Sequence, residues 1–386
     1  MLWLFAVVAV AALEARPRVD YRFDVAVRGG QLVTKVAVSV RGVDHPEFIE
    51  PSTWGAAKEL GRAVQGLRRS RNGATYELRN DWQGPLREGV RHRAHLLPDH
   101  LEFNALNALV RPKLDALTEV DCRYSWKLPP GWTLATSFGT AVRQRFVGRW
   151  DQAVNAVFVA GDYRLLEKNG VRLAIRGRWP FSDAEALTVA ERIMRAEREF
   201  WRDGAYSRFL VTVGQFGPGE SSSGGGGFHQ AVSLHLPQNK PLEPGVLSLL
   251  AHELFHLWNP YRMGTLPEPV YWFTEGVTTF YQDRMLELAG LLTREQWLAA
   301  INRRLHDEAM AQEKSPYEHG AAVTLWLDAL IRERTEEKAS FDDVVRSLIV
   351  TKPEALTTER IERAILRLAG ESAREALQKM TRQNAE

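Results

Sequence analysis

The sequence predicts an α+β protein of two parts, an antiparallel β-domain followed by a mixed α/β segment that ends in helices. From about residue 20 to residue 165, apolar residues alternate with period two, as in half-buried strands. From residue 182 the apolar period lengthens to that of amphipathic helices. The chain has 386 residues, of which 45% are hydrophobic and 25% charged, values typical of a globular protein of two or more domains. We therefore expect an N-terminal β-sandwich-like domain over 16–165 and a second domain over 166–386.

The N-terminus resembles a signal peptide. Residues 2–13 read LWLFAVVAVAAL and form an apolar run that stops at Glu14. A membrane span needs about 20 such residues, whereas the hydrophobic region of a signal peptide is shorter. We expect residues 1–15 to direct export to the periplasm or the cell exterior, and the mature chain to lack a membrane span. Because no Lys or Arg precedes the run, a buried N-terminal strand in a cytoplasmic protein, or a misplaced start codon, stays open.

Charge and cysteine content argue against a nucleic-acid-binding protein and against a fold stabilised by disulfides or cysteine-bound zinc. The formal net charge is +2, and basic residues are interleaved with acidic ones, so no nucleic-acid partner is expected. Cys122 is the single cysteine, which excludes an intramolecular disulfide and a cysteine-based zinc cage. Composition does not predict the oligomeric state.

The elements follow in order along the chain. Strand-like runs YRFDVAV and QLVTKVAVSV flank RGG, and Asn169-Gly170 between two later runs predicts a hairpin. Ser182 and Glu185 form a capping box at the start of a helix. A strand, RFLVTVGQF, and the glycine-rich stretch GPGESSSGGGGFHQ complete a mixed α/β segment over 166–245. Helices are predicted over 246–258, 275–289, 293–308, 319–334, 340–349 and 358–369, which makes 246–386 mainly helical.

The stretch HELFH, residues 252–256, places polar residues in an otherwise apolar helix. Burying a polar group without a partner costs about 2–7 kcal/mol. Helical residues four apart share one face, so His252 and His256 are spaced to bind one metal ion, with Glu253 beside them. The alternative is a core helix whose two histidines are satisfied by hydrogen bonds.

A third metal ligand is expected from the next helix. Glu275 follows His256 by 19 residues, at the predicted start of that helix. A catalytic zinc ion typically has three protein ligands and one open position. Thr279 lies one turn further, within reach of a hydrogen bond to a ligand histidine. Alternatively, Glu275 is a solvated first-turn acid favoured by the helix dipole, although the apolar residues before it in WFTEG favour the ligand role.

These motifs resemble those of a known family. HELFH followed by LWN and, after 18 intervening residues, by Glu275 in WFTEGVTTFY is similar to the glycyl aminopeptidase-like family of gluzincin zinc metallopeptidases, and more distantly to aminopeptidase N-type peptidases. LPPGWTLATSFG and the stretch beginning YEHG extend the resemblance over roughly residues 120–350. It implies that 166–386 form a thermolysin-like catalytic domain holding one Zn²⁺. The family usually adds a C-terminal PDZ domain, which we do not expect here, because few residues follow SLIV.

The resemblance also implies a reaction, hydrolysis of peptide bonds in peptide or protein substrates by an aminopeptidase. Glu253 would activate a zinc-bound water as general base, and Tyr317 would stabilise the oxyanion. Alternatively, Tyr317 only covers a helix start. His319 replaces the lysine that is usual in the family. A zinc endopeptidase, an inactive zinc-containing peptide- or protein-binding module, and hydrolysis of a non-peptide amide or epoxide are the other interpretations.

Substrate-binding residues are expected in the glycine-rich stretch. An aminopeptidase needs an acidic group for the substrate ammonium, yet Phe228, not a glutamate, follows the glycines. Gly226, Gly227, Phe228 and the upstream Glu220 are therefore the predicted substrate-binding residues. The glycines either let a substrate approach a strand edge or form a flexible loop, and we predict a mobile loop beside the substrate.

Overall fold

The computed structural model describes residues 16–54, 57–204, 206–350 and 354–382. The expected signal peptide at 1–15 lies outside these ranges. Within them, no helix is both long and apolar enough to span a bilayer. The predicted fold class is confirmed, because a β-rich N-terminal part precedes a mixed α/β part that ends in helices.

The N-terminal part contains two main sheets. Its strands are β1 (Arg18–Arg28), β2 (Gln31–Arg41), β3 (Phe48–Ile49), β4 (Val64–Ser70), β5 (Gly73–Leu78), β6 (His95–Leu97), β7 (His100–Asn104), β8 (Arg111–Pro112), β9 (Glu119–Lys127), β10 (Thr133–Thr136), β11 (Arg143–Arg149) and β12 (Val157–Gly161). One sheet has the order β11-β9-β1-β2-β5-β4 and the other the order β10-β12-β7-β6. Short helices α1 (Ala105–Ala108) and α2 (Trp150–Val154), with 3-10 turns at Leu60–Ala63 and Glu88–Val90, connect them.

Aromatic side chains from both sheets form the N-terminal core. Phe23 of β1 stacks on Trp126 of β9 with ring centroids 3.9 Å apart. Across the gap, Phe103 of β7 and Phe158 of β12 lie 6.3 and 6.2 Å from Phe23. The alternating apolar residues of each strand therefore face a layer shared by the two sheets.

The first sheet differs from the prediction in one respect. β1 and β2 pair antiparallel, but β1 and β9 pair parallel, with Tyr21 opposite Tyr124. A parallel pair needs a long crossover connection, and residues 29–118, which include β2, provide one here. The expected antiparallel N-terminal domain therefore contains one parallel pair, which period two in a sequence could not indicate because it does not specify strand direction.

The C-terminal part begins with a third sheet. Its strands are β13 (Arg164–Lys168), β14 (Val171–Ile175), β15 (Phe209–Gln215), β16 (Gly224–Phe228) and β17 (Ala231–Leu236), in the order β13-β14-β15-β17-β16. The predicted hairpin is confirmed between β13 and β14, where Asn169 and Gly170 adopt φ of 50° and 79°. Helix α3 (Asp183–Trp201) starts at the predicted capping box and connects the parallel strands β14 and β15.

Helices complete the C-terminal part. They are α4 (Pro244–Phe255), α5 (Tyr271–Leu288), α6 (Arg294–Met310), α7 (Pro316–Arg334), α8 (Phe341–Ser347), α9 (Thr358–Ala369) and α10 (Arg374–Arg382), with a 3-10 turn at Glu371–Ala373. Helix α5 begins four residues earlier than predicted, so Glu275 lies beyond its first turn. The alternative that Glu275 is a first-turn acid therefore does not hold.

The core of the C-terminal part orients α4. Phe255 and Trp258 are fully buried beside Trp201, with ring centroids 4.8 and 5.9 Å from it. Phe255 also stacks on Tyr281 of α5 at 5.0 Å. Because this apolar side is fixed against α3 and α5, the other side, which carries His252, Glu253 and His256, faces a cleft.

Candidate active site

Two histidines of α4 and one glutamate of α5 converge on one point. The Nε2 atoms of His252 and His256 lie 3.1 Å apart. The Oε2 atom of Glu275 lies 3.3 Å from the first and 3.4 Å from the second. Ligand atoms about 2.0–2.1 Å from a tetrahedral zinc ion are separated by about 3.3 Å. The three predicted ligands are therefore spaced as a zinc site requires.

The outer hydrogen bonds of the two histidines fit the same ion. Nδ1 of His252 lies 2.9 Å from Oε1 of Gln282, and Nδ1 of His256 lies 2.9 Å from the carbonyl oxygen of Asn259. Since both partners accept, each Nδ1 donates its proton to them, which leaves each Nε2 as the nitrogen available to the site. Two Nε2 atoms 3.1 Å apart can share a proton, and a metal ion that displaces this proton would be bound by both. This donor set fits Zn²⁺, which binds neutral imidazole and carboxylate ligands.

The electrostatics at this point favour positive charge. Burial acts to lower the pKa of His256, but the Glu275 carboxylate outweighs it and raises that pKa to about 9. Burial acts to raise the pKa of Glu275, but the two histidines hold it well below its usual range. The carboxylate is therefore ionised and attracts a cation.

The polar group that supports His252 is not the predicted one. Thr279 is buried in the cleft wall, and its Oγ1 has no hydrogen-bond partner among the described residues. Gln282 takes the role, because it follows Glu275 by seven residues and so lies about two turns along the same face of α5. The expectation for Thr279 was wrong because one turn does not reach the outer side of the His252 ring. Gln282 could have been identified in the sequence as the residue seven positions after Glu275.

Asn259 ties the end of α4 to α5 and was missed by the sequence reasoning. Its side chain is fully buried, and Nδ2 lies 3.1 Å from the Phe273 carbonyl oxygen and 3.2 Å from Oγ1 of Thr278. Its own carbonyl oxygen accepts the hydrogen bond of His256. One asparagine thus orients a ligand and fixes the relative position of the two ligand helices. The only signal in the sequence was a polar residue after the apolar pair LW.

Glu253 projects into the cleft beside the ligands and is not part of the ligand cluster. Its side chain is 8% exposed and packs against β16. Tyr317 of α7 lies on the other side, with its ring 5.9 Å from the ring of His252. Tyr317 is 43% exposed, and its partial burial, together with Glu275 and Glu253, raises the pKa of its hydroxyl, which therefore stays protonated. The two predicted catalytic side chains flank the predicted metal position.

Glycines bring Tyr317 to the site. Helices α5 and α7 cross where Gly276 meets Gly320, and a Cβ atom on Gly276 would lie 2.3 Å from Cα of Gly320. Only glycine permits this approach. His319, next to Gly320, points away from the cleft and bonds Oε1 of Glu308 at 2.7 Å and the Met380 carbonyl oxygen at 2.9 Å. His319, which stands where the family usually has a lysine, therefore connects α7 to α6 and α10.

The glycine run is a strand, not the predicted mobile loop. Gly224–Phe228 form β16, antiparallel to β17. A Cβ atom on Gly225 would lie 2.6 Å from Cγ of Glu253, and one on Gly227 would lie 2.8 Å from Cβ of His256. The glycines let the strand pack directly on the metal-binding face of α4. The loop interpretation failed because four glycines carry no apolar period, so tertiary packing alone defines this strand.

The outer carbonyl groups of β16 are bound by side chains. The Arg91 guanidinium donates to the Gly225 oxygen, and the Tyr261 hydroxyl donates to the Gly227 oxygen at 3.1 Å. Gly226 and Gly227 line a cleft of about 1280 Å³ that also contains the metal ligands. These two of the predicted substrate-binding residues are therefore next to the site.

Phe228 and Glu220 are placed elsewhere. Phe228 is 6% exposed and stacks on Trp54, with ring centroids 6.0 Å apart. The Glu220 carboxylate accepts from the backbone and hydroxyl of Ser222, and these bonds lower its pKa to about 2. Neither residue is among the described residues of the cleft wall. The structure does not favour a substrate-binding role for either, because strand alternation and the local turn direct both side chains away.

The N-terminal domain also contributes to the cleft. Trp54, Arg91 and His92 line it opposite the helices of the catalytic part. Sequence reasoning missed all three, since contacts across such chain distances have no local pattern. The cleft is thus formed by both domains.

Comparisons with known proteins agree with this geometry. The model of the M61 glycyl aminopeptidase family matches residues 245–341, the segment that holds the ligands, Glu253 and Tyr317. The predicted resemblance to gluzincin metallopeptidases is confirmed. The protein is an aminopeptidase-like zinc hydrolase that acts on peptide bonds. No curated protein matches the sequence significantly.

Solved structures share the fold across the chain. An aminopeptidase N family protein from Idiomarina loihiensis has a TM-score of 0.66 at 17% identity, covering 86% of this chain and 69% of that one. The M1 zinc metallopeptidase from Deinococcus radiodurans has a TM-score of 0.58 at 14% identity, with coverages of 95% and 93%. Native yeast LTA4 hydrolase has a TM-score of 0.55 at 12% identity, with coverages of 94% and 66%. At sequence identities of 12 to 17%, these comparisons show similarity of fold alone.

Proposed function

We propose that this protein is a zinc aminopeptidase with a single zinc ion at its catalytic centre, held by His252, His256 and Glu275. The observation that carries the proposal is the convergence of these three ligand atoms within 3.1 to 3.4 Å of one another. A bound zinc ion would acidify a water molecule and polarise the scissile carbonyl group.

Glu253 is the general base in this proposal. Its carboxylate takes a proton from the attacking water and passes it to the leaving amine. The position supports this role, because Glu253 lies beside the ligands yet outside their cluster, which leaves its oxygens available to a substrate. Packing against Gly225 restricts its rotamers and so holds the carboxylate in the cleft.

Tyr317 stabilises the oxyanion. As the carbonyl group becomes tetrahedral, negative charge develops on its oxygen, and a neutral hydroxyl can donate to it. The support is the place of Tyr317 in the cleft wall near His252 and its raised pKa, which keeps the hydroxyl protonated.

Cleavage from a free N-terminus is the finer part of the proposal. Its support is the match to the glycyl aminopeptidase family over the catalytic segment. A specific observation favours a second candidate, a zinc endopeptidase. No carboxylate follows the glycines of β16, and the Arg91 guanidinium occupies the Gly225 carbonyl group there. Because Arg91 already donates to this carbonyl group, the oxygen is less available to accept from a substrate ammonium.

Paired peptides with free and acetylated N-termini separate the two candidates. Hydrolysis of only the free peptides supports the aminopeptidase, and equal hydrolysis of both supports the endopeptidase. Addition of 1,10-phenanthroline should stop either reaction, and zinc should restore it. Peptide binding by wild-type protein without hydrolysis of any library member would refute the enzymatic proposal.

A further inference from the structure

A second group of two histidines and a glutamate lies outside the active site. His95 is on β6, Glu102 on β7 and His235 on β17. One ring nitrogen of each histidine and one carboxylate oxygen lie within 4.8 Å of one another. The residues are 1%, 5% and 4% exposed, respectively. We call this group the interdomain cluster.

The interdomain cluster joins the two domains. Strands β6 and β7 belong to the N-terminal domain, whereas β17 belongs to the catalytic sheet. Strand β17 also pairs with β16, which packs on Glu253. Whatever holds the cluster together therefore also fixes the strand that forms the cleft wall.

Glu102 is held as an ionised acceptor. Its Oε2 lies 3.3 Å from Nε2 of His235 and 3.0 Å from the Tyr163 hydroxyl. Its Oε1 accepts from the hydroxyl of Ser233 and lies 3.3 Å from that of Thr212. A spacing of 3.3 Å between ligand atoms is also what a shared zinc ion gives.

His95 leaves a lone pair without a partner. Its Nε2 lies 3.3 Å from the Val90 carbonyl oxygen, to which it donates, so Nδ1 is the unprotonated nitrogen. That Nδ1 is buried and has no hydrogen-bond partner in the part of the chain that the structure describes. An unpaired buried acceptor costs about 1–3 kcal/mol.

A small cavity adjoins the cluster. Its volume is about 30 Å³, and Glu102, Ser233 and His235 line it. This is room for about one water molecule. Arg91 and Arg93 also line the cavity, but they pair with Glu88 and Asp81, which offsets their charge. Three protein ligands and one water make a complete tetrahedral set.

We propose that His95, Glu102 and His235 bind a second zinc ion, separate from the catalytic one, that joins the N-terminal domain to the catalytic sheet. Two imidazoles and a carboxylate suit Zn²⁺. The hydroxyl groups of Tyr163, Thr212 and Ser233 orient the carboxylate, as outer partners do in metal sites. The ion also occupies the position that Nδ1 of His95 leaves without a partner.

Metal counting on the full chain tests the proposal. Zinc per chain is measured by elemental analysis after gel filtration, first on wild type and then on H252A/H256A, which removes the catalytic ligands. The expected values are about two ions and about one ion per chain. H95A/H235A is expected to retain about one, and the fourfold variant none.

Two controls keep the result interpretable. His100 is 3% exposed on β7 and bonds Asp99 at 2.8 Å outside the cluster, so H100A should keep both ions. If H95A/H235A does not fold, the zinc content of H252A/H256A alone tests the proposal, because this variant keeps all three residues of the interdomain cluster. Loaded with Co²⁺, this variant should show the visible absorption of a tetrahedral site. One ion in wild type and none in H252A/H256A would overturn the proposal and leave a metal-free hydrogen-bonded network.

Discussion

Nδ1 of His252 lies 2.9 Å from Oε1 of Gln282, on the same helix that provides the ligand Glu275. Helix α5 thus supplies one metal ligand directly and fixes the tautomer and orientation of another. Any change in the register of α5 against α4 would disturb both at once. This coupling leads to the first prediction.

Gln282→Leu should lower the zinc affinity of the catalytic centre by about 10–100-fold, as expected for loss of an outer partner of a ligand histidine. Competition with a chromogenic chelator measures this affinity. Thr279→Val is the matched control on the same helix, because the Thr279 hydroxyl bonds no described residue. A larger loss in the Thr279 variant than in the Gln282 variant would contradict the assignment.

Glu253→Gln should lower kcat by about 10²–10⁴-fold, since an amide cannot accept the proton of the attacking water. Zinc content should be unchanged, because Glu253 is not in the ligand cluster. Steady-state kinetics and metal analysis are made on the same preparation. Glu243→Gln, at the exposed N-cap of the same helix, should behave as wild type. Comparable activity of the two variants would exclude Glu253 as the base.

Tyr317→Phe should lower kcat by about 10²–10³-fold with little change in KM, because the hydroxyl acts on charge that develops only in the transition state. Tyr271→Phe tests a tyrosine of the same cleft that is 55% exposed, and it should leave kcat unchanged. A change confined to KM would instead assign Tyr317 to substrate binding.

Gly225→Ala should lower both activity and stability. The new methyl group would lie 2.6 Å from Cγ of Glu253, so either the strand or the general base must move. Overpacking of this kind costs about 1–3 kcal/mol of unfolding free energy, which urea denaturation measures. Gly245→Ala, on α4 with no atom within 4 Å of the added carbon, should be neutral or stabilising. Equal effects at both positions would argue against close packing of β16.

The pH dependence of stability should change in Glu197→Gln. Glu197 is fully buried on α3, and burial raises its pKa well above the usual value. The folded chain therefore keeps a proton that the unfolded chain releases. The stabilisation that this carboxyl contributes is fully present below its unfolded pKa of about 4.3 and is lost as the pH rises toward the folded-state pKa.

Urea unfolding of wild type and Glu197→Gln between about pH 4 and pH 8 measures this effect. The variant should gain stability relative to wild type as the pH rises, since an amide cannot ionise. Glu199→Gln, two residues away and exposed, should show no such trend. A pH-independent difference between wild type and Glu197→Gln would mean that Glu197 does not titrate in this range.

The ligand set could be predicted from sequence because helical geometry fixes the relation between His252 and His256. Although His256 lies just past the end of α4, its φ of −59° and ψ of −20° remain helical, so the spacing of four still applies. Glu275 was predictable by motif spacing. Gln282 was missed because the prediction considered only the next helical turn, at Thr279, whereas Gln282 lies two turns after Glu275 on the same face.

The cleft walls were harder to predict. The glycines of β16 have no side chains whose periodicity could indicate a strand. Arg91 and His92 reach the cleft only because the N-terminal domain docks on the catalytic sheet, and that docking depends on contacts far apart in the chain. Local patterns therefore predicted the chemical groups well and their surroundings poorly.

The guanidinium of Arg91 belongs to one domain, and the carbonyl group that it binds belongs to the other. Replacement of the short turn that carries Arg91 would therefore loosen the attachment of β16 to the N-terminal domain while leaving the metal-binding side chains in place.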